Sequence, residues 1–102
     1  MKISMALGAG ASLDPKSLSR QVQDLESAGV DLVWAGEIYG FDLVSTLTFV
    51  AARTEKMQIM TGILPIYSRS PALIAQTAMT IDTLSDGRFI LGLGTSGPQV
   101  IE

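Results

Sequence analysis

The sequence predicts an α/β fold in which short buried strands alternate with helices. Four apolar runs are each separated from the next by a turn and a helix-like stretch. The runs are almost continuously apolar, which is typical of parallel strands covered on both faces by helical crossovers. Four strands and three helices, at intervals of roughly 25–30 residues, fit either a βα barrel or a doubly wound sheet.

The first unit begins with the apolar run of residues 3–7. Asp14 and Pro15 predict a helix start, because aspartate caps helix N-termini and proline suits the first helical turn. Apolar residues then recur at helical spacing: Leu18, Val22 and Leu25. Gly29 is placed to end this helix.

The second apolar run covers residues 32–35 and leads through a loop to Asp42, which suits the N-cap of the next helix. The apolar positions of that helix are Leu43, Leu47, Val50 and Ala51. Glu37 directly follows the run, and in a barrel the ends of the strands carry the active site. Its carboxylate could contact a cofactor or substrate. From the residues alone, a surface carboxylate or one that caps a neighbouring helix is the favoured interpretation.

The third and fourth runs, residues 59–64 and 89–94, flank the third helix. Ser70 and Pro71 repeat the combination of cap and proline at its start, and Gly87 is placed to end it.

Four further positions stand out, and two of them, Gly62 and Arg69, allow two interpretations each. Gly62 permits either unusual backbone geometry at a ligand site or a simple strand-ending turn. Arg69 could bind an anion near a helix N-terminus or be solvated. Trp34 lies within a strand, where core packing is expected. Arg88 lies on the opposite side of the units, where features serve stability.

Gly92, Gly94 and Gly97 form the string GxGxxG of dinucleotide-binding folds. That motif opens a helix in the first βαβ unit and precedes an acidic residue by about 20 positions. Here the string begins inside the fourth run, and five residues come after it, so this context argues against a nucleotide. The glycines could instead let a flat ligand approach the strand end, or relieve crowding inside a barrel.

Composition narrows the possible functions. Hydrophobic residues make up 47% and charged residues 17%, which argues against disorder. The net charge of −3 argues against nucleic acid as a partner. The chain has no cysteine and no histidine, so we expect no disulfide and no metal site. No signal peptide and no membrane-length apolar stretch is present, so we expect a cytoplasmic protein with no membrane partner.

Four segments resemble the luciferase-like monooxygenase family, most closely its deazaflavin-dependent (coenzyme F-420) oxidoreductases. They are VWAGE, GILP, TLSDGRF and GLGTSGPQ, at residues 33–37, 62–65, 83–89 and 92–99. The resemblance implies a partial (β/α)₈ TIM barrel with about four parallel strands and three helices. A complete barrel needs roughly 250 residues. We therefore expect residues 1–102 to be the N-terminal half of such a domain, truncated after the fourth strand.

The resemblance also implies a cofactor site at the ends of the strands. Glu37 matches an acidic residue that contacts the deazaflavin. Gly62 and Ile63 match a non-prolyl cis peptide that forms a bulge behind the ring, and Thr95 and Ser96 match cofactor contacts after the fourth strand. No catalytic residue is identified.

Two positions depart from the sugar-phosphate dehydrogenases of this group. Ile38 stands where they have a catalytic histidine, and Gly97 stands where they have a catalytic glutamate. Neither residue can transfer a proton. The resemblance therefore supports the cofactor and hydride transfer, but not that substrate.

Three functions follow from these features. The first is hydride transfer between coenzyme F-420 and an organic substrate by the full-length enzyme, with this chain inactive alone. The second is an FMN-dependent monooxygenase. The third is a non-catalytic half-barrel that acts through oligomerisation. Because open strand edges and an apolar sheet face favour association, we expect a homo-oligomer or pairing with the missing half barrel.

Overall fold

The computed structural model describes residues 2–7, 14–36 and 41–95. Within these ranges, strands and helices alternate along the chain. The strands are β1 (Ser4–Ala6), β2 (Leu32–Ala35), β3 (Gln58–Thr61), β4 (Leu64–Pro65), β5 (Phe89–Ile90) and β6 (Leu93–Gly94). The helices are α1 (Pro15–Ser27), α2 (Leu43–Arg53) and α3 (Pro71–Leu84).

The main sheet has four parallel strands in the order β1-β2-β3-β5. Each helix connects one strand to its neighbour, as parallel pairing requires. The predicted α/β class, with four parallel strands and three helices, is confirmed.

The three helices begin where the sequence predicts. Each N-cap side chain accepts a hydrogen bond from the backbone N–H three residues later, at 2.9–3.1 Å. The N-cap residues are Asp14, Asp42 and Ser70. These bonds satisfy backbone donors that have no partner inside the helix.

The helix ends follow the prediction less closely. Gly29 has a φ of 92° and ends α1, as expected. At the end of α3, the left-handed conformation begins one residue before Gly87, at Asp86, whose φ is 56°. The Gly87 N–H then donates to the Asp82 carbonyl at 2.8 Å, which completes a Schellman motif. The prediction placed this turn on the glycine alone because it did not allow for aspartate at positive φ.

The core lies between the sheet and the helices. Its buried apolar side chains are Leu7, Val22, Val33, Ala35, Leu43, Leu47, Val50, Ala51, Met57, Ile59, Leu64 and Ile74. On the other face of the sheet, Trp34, Met60 and Ile90 lie side by side and are only half-buried. The expectation of strands covered on both faces is therefore wrong for the described residues, because their helices pack on one face alone. This arrangement matches the expected open apolar face.

The third and fourth apolar runs are each divided into two strands. The third run breaks after Thr61, and the fourth breaks after Ile90. Beyond the breaks, β4 and β6 pair with each other in a separate two-stranded parallel sheet. The sequence predicted each run as one strand, because an apolar run carries no mark of where its pairing changes.

Within the described ranges, no helix combines the length and apolarity needed to span a bilayer.

Candidate functional site

The parallel strands end together at one edge of the sheet, which we call the carboxyl edge (Gly36, Gly62–Leu64 and Gly92–Thr95). The chain leaves β3 at Gly62, and the Gly62–Ile63 peptide is cis, as the resemblance implied. The Gly62 N–H donates to the Ala35 carbonyl at 2.7 Å. The Leu64 N–H donates to the Gly92 carbonyl at 2.8 Å. The bulge is thus hydrogen-bonded to the strands on both sides.

The Thr61 hydroxyl connects the two broken strands. It accepts a hydrogen bond from the Gly92 N–H at 2.7 Å and donates one to the Gly92 carbonyl at 2.8 Å. Only 1% of Thr61 is exposed. Sequence reasoning missed this residue, although a polar side chain inside an apolar run is a signal that a buried hydrogen bond is needed.

Three glycines of the carboxyl edge lie close to the residues around the bulge. A Cβ at Gly92 would overlap the Thr61 carbonyl oxygen, and one at Gly36 would lie 2.8 Å from the Gly62 carbonyl oxygen, so backbone packing requires glycine at both positions. A Cβ at Gly94 would lie 2.5 Å from Cδ1 of Ile63, the end of a flexible side chain that can shift. Of the two interpretations of the glycine string, relief of crowding therefore accounts for Gly92.

The nucleotide interpretation of the string receives no support from the described residues. Gly94 lies in β6, where it pairs with Pro65, and not in a turn that opens a helix. Gly97 lies outside the described residues.

The surface beside the bulge is apolar. Trp34 lies against Gly62, where an added Cβ would be 3.1 Å from Cε3 of the indole. Trp34 and Ile63 are both half-buried. Trp34 was expected to pack in the core, but it lies on the open face of the sheet, where part of its ring surface remains accessible.

The structure brings part of the predicted cofactor site together. Gly62 and Ile63 form the bulge, and Thr95 directly follows β6, which pairs with the strand after the bulge. Glu37 and Ser96 lie outside the described residues. The cofactor contacts of all five residues remain predictions.

Arg69 is neither solvated nor free to act as a simple anion site. Its guanidinium pairs with the Asp42 carboxylate, and its side chain is 11% exposed. The Ser45 hydroxyl is the largest cause that lowers the pKa of Asp42, and the Arg69 charge lowers it further. The pair connects the start of α2 with the segment that follows the bulge.

The opposite side of the sheet, which we call the amino edge (Glu26, Thr54–Met57 and Ser85–Arg88), is held by two charged side chains. The Arg88 guanidinium donates to four carbonyl oxygens and one hydroxyl at 2.6–3.1 Å. These acceptors belong to Ala51, Thr54, Met57 and Ser85. Arg88 therefore connects the end of α2 to the turn before β5. Its expected structural role agrees with these contacts.

Glu26 makes a similar connection with opposite charge. Its carboxylate accepts hydrogen bonds from three consecutive backbone N–H groups, of Glu55, Lys56 and Met57, at 2.7–3.1 Å. Burial alone would raise the pKa of Glu26, but these three donors outweigh it and hold the pKa below its ordinary value. The nearby Arg88 charge acts in the same direction. Both contacts on this edge position loops that lie away from the bulge.

The described residues contain no cluster of three or more acidic side chains placed to hold a metal ion.

The sequence profile of the family described as luciferase-like monooxygenase matches residues 1–102. One relative is a protein of Mycobacterium tuberculosis provisionally named a coenzyme F-420-dependent oxidoreductase. It is 37% identical to this chain over the whole chain, and the aligned region covers 29% of that relative. A 5,10-methylenetetrahydromethanopterin reductase of Methanolobus tindarius is 39% identical over an aligned region. That region covers 68% of this chain and 22% of the reductase. The chain thus spans less than a third of the curated relatives it matches.

Solved structures show the same arrangement of strands and helices. The coenzyme F-420-dependent tetrahydromethanopterin reductase of Methanopyrus kandleri superposes with a TM-score of 0.86 and 25% identity, over 98% of this chain and 28% of its own. An FMN-bound Baeyer–Villiger monooxygenase component of Pseudomonas putida superposes with a TM-score of 0.81 over 98% of this chain and 31% of its own. Its 15% identity shows the fold alone. The predicted partial (β/α)₈ TIM barrel is confirmed.

Proposed function

Since the chain belongs to the luciferase-like monooxygenase family, we propose that it forms the first half of an oxidoreductase barrel that uses coenzyme F-420. The proposed reaction is hydride transfer between this deazaflavin and an organic substrate. The observation that carries the proposal is the hydrogen-bonded bulge at the carboxyl edge, with the half-buried Trp34 and Ile63 beside it. In barrels of this type, that edge is where active sites are built.

The described residues fit a flat and largely apolar ring system. Gly62 adds no side chain to the bulge, and Trp34 and Ile63 present apolar surface. No ionisable side chain belongs to the described part of the carboxyl edge. A tricyclic ring placed there would contact backbone and apolar groups, which is the usual lining of a cofactor pocket.

The chain's own residues would have separate tasks. Gly62 and Ile63 would support one face of the ring. The hydroxyls of Thr95 and Ser96 and the carboxylate of Glu37 would hydrogen-bond to its polar rim. Bound F-420 would supply the hydride chemistry at its ring carbon. Since Ile38 and Gly97 cannot transfer protons, any proton transfer in the reaction would need a group other than these two.

Fluorescence titration of the chain with oxidised F-420, beside the same titration with FMN, tests the proposal. We expect F-420 to bind with a micromolar Kd and FMN to bind more weakly. Ile63→Asp should weaken F-420 binding by roughly tenfold or more, because it introduces a charge where an apolar contact is needed. Ile3→Asp is the matched control, since Ile3 is 49% exposed and precedes β1 at the opposite end of the sheet.

Other results would favour the remaining functions. Preferential FMN binding that Ile63→Asp abolishes would replace the F-420 proposal with the FMN-dependent monooxygenase. A folded dimer that binds neither cofactor would favour the non-catalytic half-barrel. Measuring the mass in solution alongside also tests the expected homo-oligomer. Equal effects of the two substitutions would show that the bulge is not the binding site.

A further inference from the structure

The outer surface between α1 and α2 contains two adjoining depressions that the proposed oxidoreductase chemistry does not use. The first, of about 380 Å³, is lined mainly by polar and basic side chains: Lys16, Ser19, Arg20, Gln23, Phe49 and Arg53. The second, of about 350 Å³, is mainly apolar and includes Leu18, Phe41 and Phe49. Pro15 and Phe49 line both depressions. Together they form one surface, the α1–α2 groove.

The first depression concentrates positive charge in a chain that is acidic as a whole. Lys16, Arg20 and Arg53 are three of the seven lysine and arginine residues of a chain with net charge −3. Lys16 and Arg20 are four residues apart on one helix face, where like charges destabilise each other. No carboxylate lines this depression. Outside the depression, the Asp14 carboxylate interacts electrostatically with Arg20, so the net positive charge here is smaller than three cations alone would give.

Among the described residues, these three cations form no ion pair. Across residues 2–7, 14–36 and 41–95, Arg69 and Asp42 form an ion pair with each other. The Arg53 guanidinium instead lies 5.0 Å from the centroid of the Phe49 ring, a cation–π arrangement that leaves its charge available. The polar edge of the groove can thus receive an anionic group without first breaking a salt bridge.

The second depression adds an apolar contact surface. Phe41 is 50% exposed, and Leu18 is half-buried beside it. One acidic residue, Asp42, also lines this depression. Its carboxylate already accepts hydrogen bonds from Ser45 and pairs with Arg69. Asp42 therefore does not neutralise the cations of the neighbouring depression.

The combination of charges and apolar surface selects the kind of partner. An inorganic anion would occupy the basic depression and leave the apolar one unused. Proteins that bind nucleic acids or anionic membranes present strongly basic surfaces. This chain has a net charge of −3 and only three cations in the groove, which does not favour either partner. A protein segment can present carboxylates and an apolar side chain within a few residues.

We propose that the α1–α2 groove binds an acidic protein segment that carries an aromatic or aliphatic side chain next to its carboxylates. The carboxylates contact Lys16, Arg20 and Arg53. The apolar side chain packs against Phe41 and Phe49. The residues that line the groove are distinct from those of the carboxyl edge, where the cofactor site is proposed.

Fluorescence anisotropy with a labelled peptide of three Glu-Glu-Leu-Phe repeats tests this proposal on the folded chain. We expect saturable binding that weakens as salt is added, since salt screens exposed charges. Arg20→Glu combined with Arg53→Glu should weaken binding by roughly tenfold or more. Phe41→Ser should weaken it by roughly threefold to tenfold through loss of apolar contact. Circular dichroism confirms that each variant is folded.

The matched control is Lys2→Glu combined with Lys56→Glu, two exposed lysines outside the groove. This control makes the same change in net charge and should alter the Kd by less than about twofold. An equal loss in the control, or no binding to the folded chain, would overturn the proposal. Equally tight binding of inorganic phosphate or of an all-glutamate peptide would reduce the groove to a simple anion site. Groove-dependent binding of duplex DNA or phosphatidylserine vesicles, without peptide binding, would also overturn it.

Discussion

The two edges of the parallel sheet are stabilised by different chemistry. At the amino edge, the charged side chains of Arg88 and Glu26 bind backbone groups of the loops before β3 and β5. At the carboxyl edge, backbone groups bind one another and the hydroxyl of Thr61 around a bulge, and three glycines allow the close approach. The amino edge is stabilised by long side chains, whereas the carboxyl edge depends on the absence of side chains at its glycines.

This difference bears on the cofactor site proposed above. A long charged side chain can satisfy many backbone groups at once and hold loops firmly in place. At the carboxyl edge it would also fill the space proposed for the cofactor ring. Bare backbone at the carboxyl edge leaves that space open, at the cost of tolerating few substitutions. We therefore expect changes at the amino edge to alter unfolding, and changes at the carboxyl edge to alter both unfolding and cofactor binding.

The largest effect is expected for Arg88→Leu at the amino edge. The substitution removes all five hydrogen bonds of the guanidinium and leaves the carbonyl groups of Ala51, Thr54 and Met57 without this donor. Urea unfolding should show a loss of about 3 kcal/mol. Arg88→Lys is the control: it keeps the charge but lacks the planar fork, and should recover only part of the loss. Equal stability of the wild type and Arg88→Leu would contradict the stabilising role assigned to Arg88 at the amino edge.

A smaller loss of stability, with a second consequence, is expected for Gly92→Ala at the carboxyl edge. The added Cβ would overlap the Thr61 carbonyl oxygen, so the backbone has to move. We expect a loss of about 2 kcal/mol in urea unfolding together with weaker F-420 binding. Gly62→Ala should be milder, because its Cβ would meet the Trp34 ring at 3.1 Å, where a side chain can adjust. Unchanged F-420 affinity in both variants would show that the bulge is not part of the cofactor site.

The contribution of Glu26 should depend on pH. Because its folded pKa is lowered, it contributes stability that is fully present above its unfolded pKa and is lost as pH falls through the folded value. Glu26→Gln should therefore cost about 1–2 kcal/mol at pH 7. The difference between wild type and variant should shrink below about pH 4. A difference that stayed constant from pH 7 to pH 3 would show that the carboxylate charge is not involved.

The smallest effects are expected at the ends of α1 and α3, which test backbone conformation alone. Gly29 and Gly87 have open space at their Cβ positions, and Asp86 has a φ of 56°. Gly29→Ala should destabilise by about 1 kcal/mol, since alanine resists positive φ. Asp86→Gly should change stability by about 0.5 kcal/mol or less, as relief of strain is offset by unfolded-state entropy. Thermal unfolding of both variants measures the difference between their stability changes. This difference would disappear if the backbone of the two turns were not in the left-handed conformation.

Sequence reasoning predicted the elements that depend on neighbouring residues. Asp14, Asp42 and Ser70 were identified as helix caps because the hydrogen bond each makes lies within one helical turn. The resemblance identified the cis peptide at Gly62–Ile63. The five acceptors of Arg88, drawn mostly from residues more than 30 positions away, could not be predicted from local patterns.

The sequence by itself determined the α/β class, the order of strands and helices, the helix starts and the family. These follow from periodicity and capping, which act over a few residues, and from short motifs. The tertiary structure alone decided where the third and fourth runs break, why residue 92 is a glycine, and that Arg69 pairs with Asp42. Each of these depends on contacts between segments 27 or more residues apart, and the distance between such segments is set only when the sheet has formed.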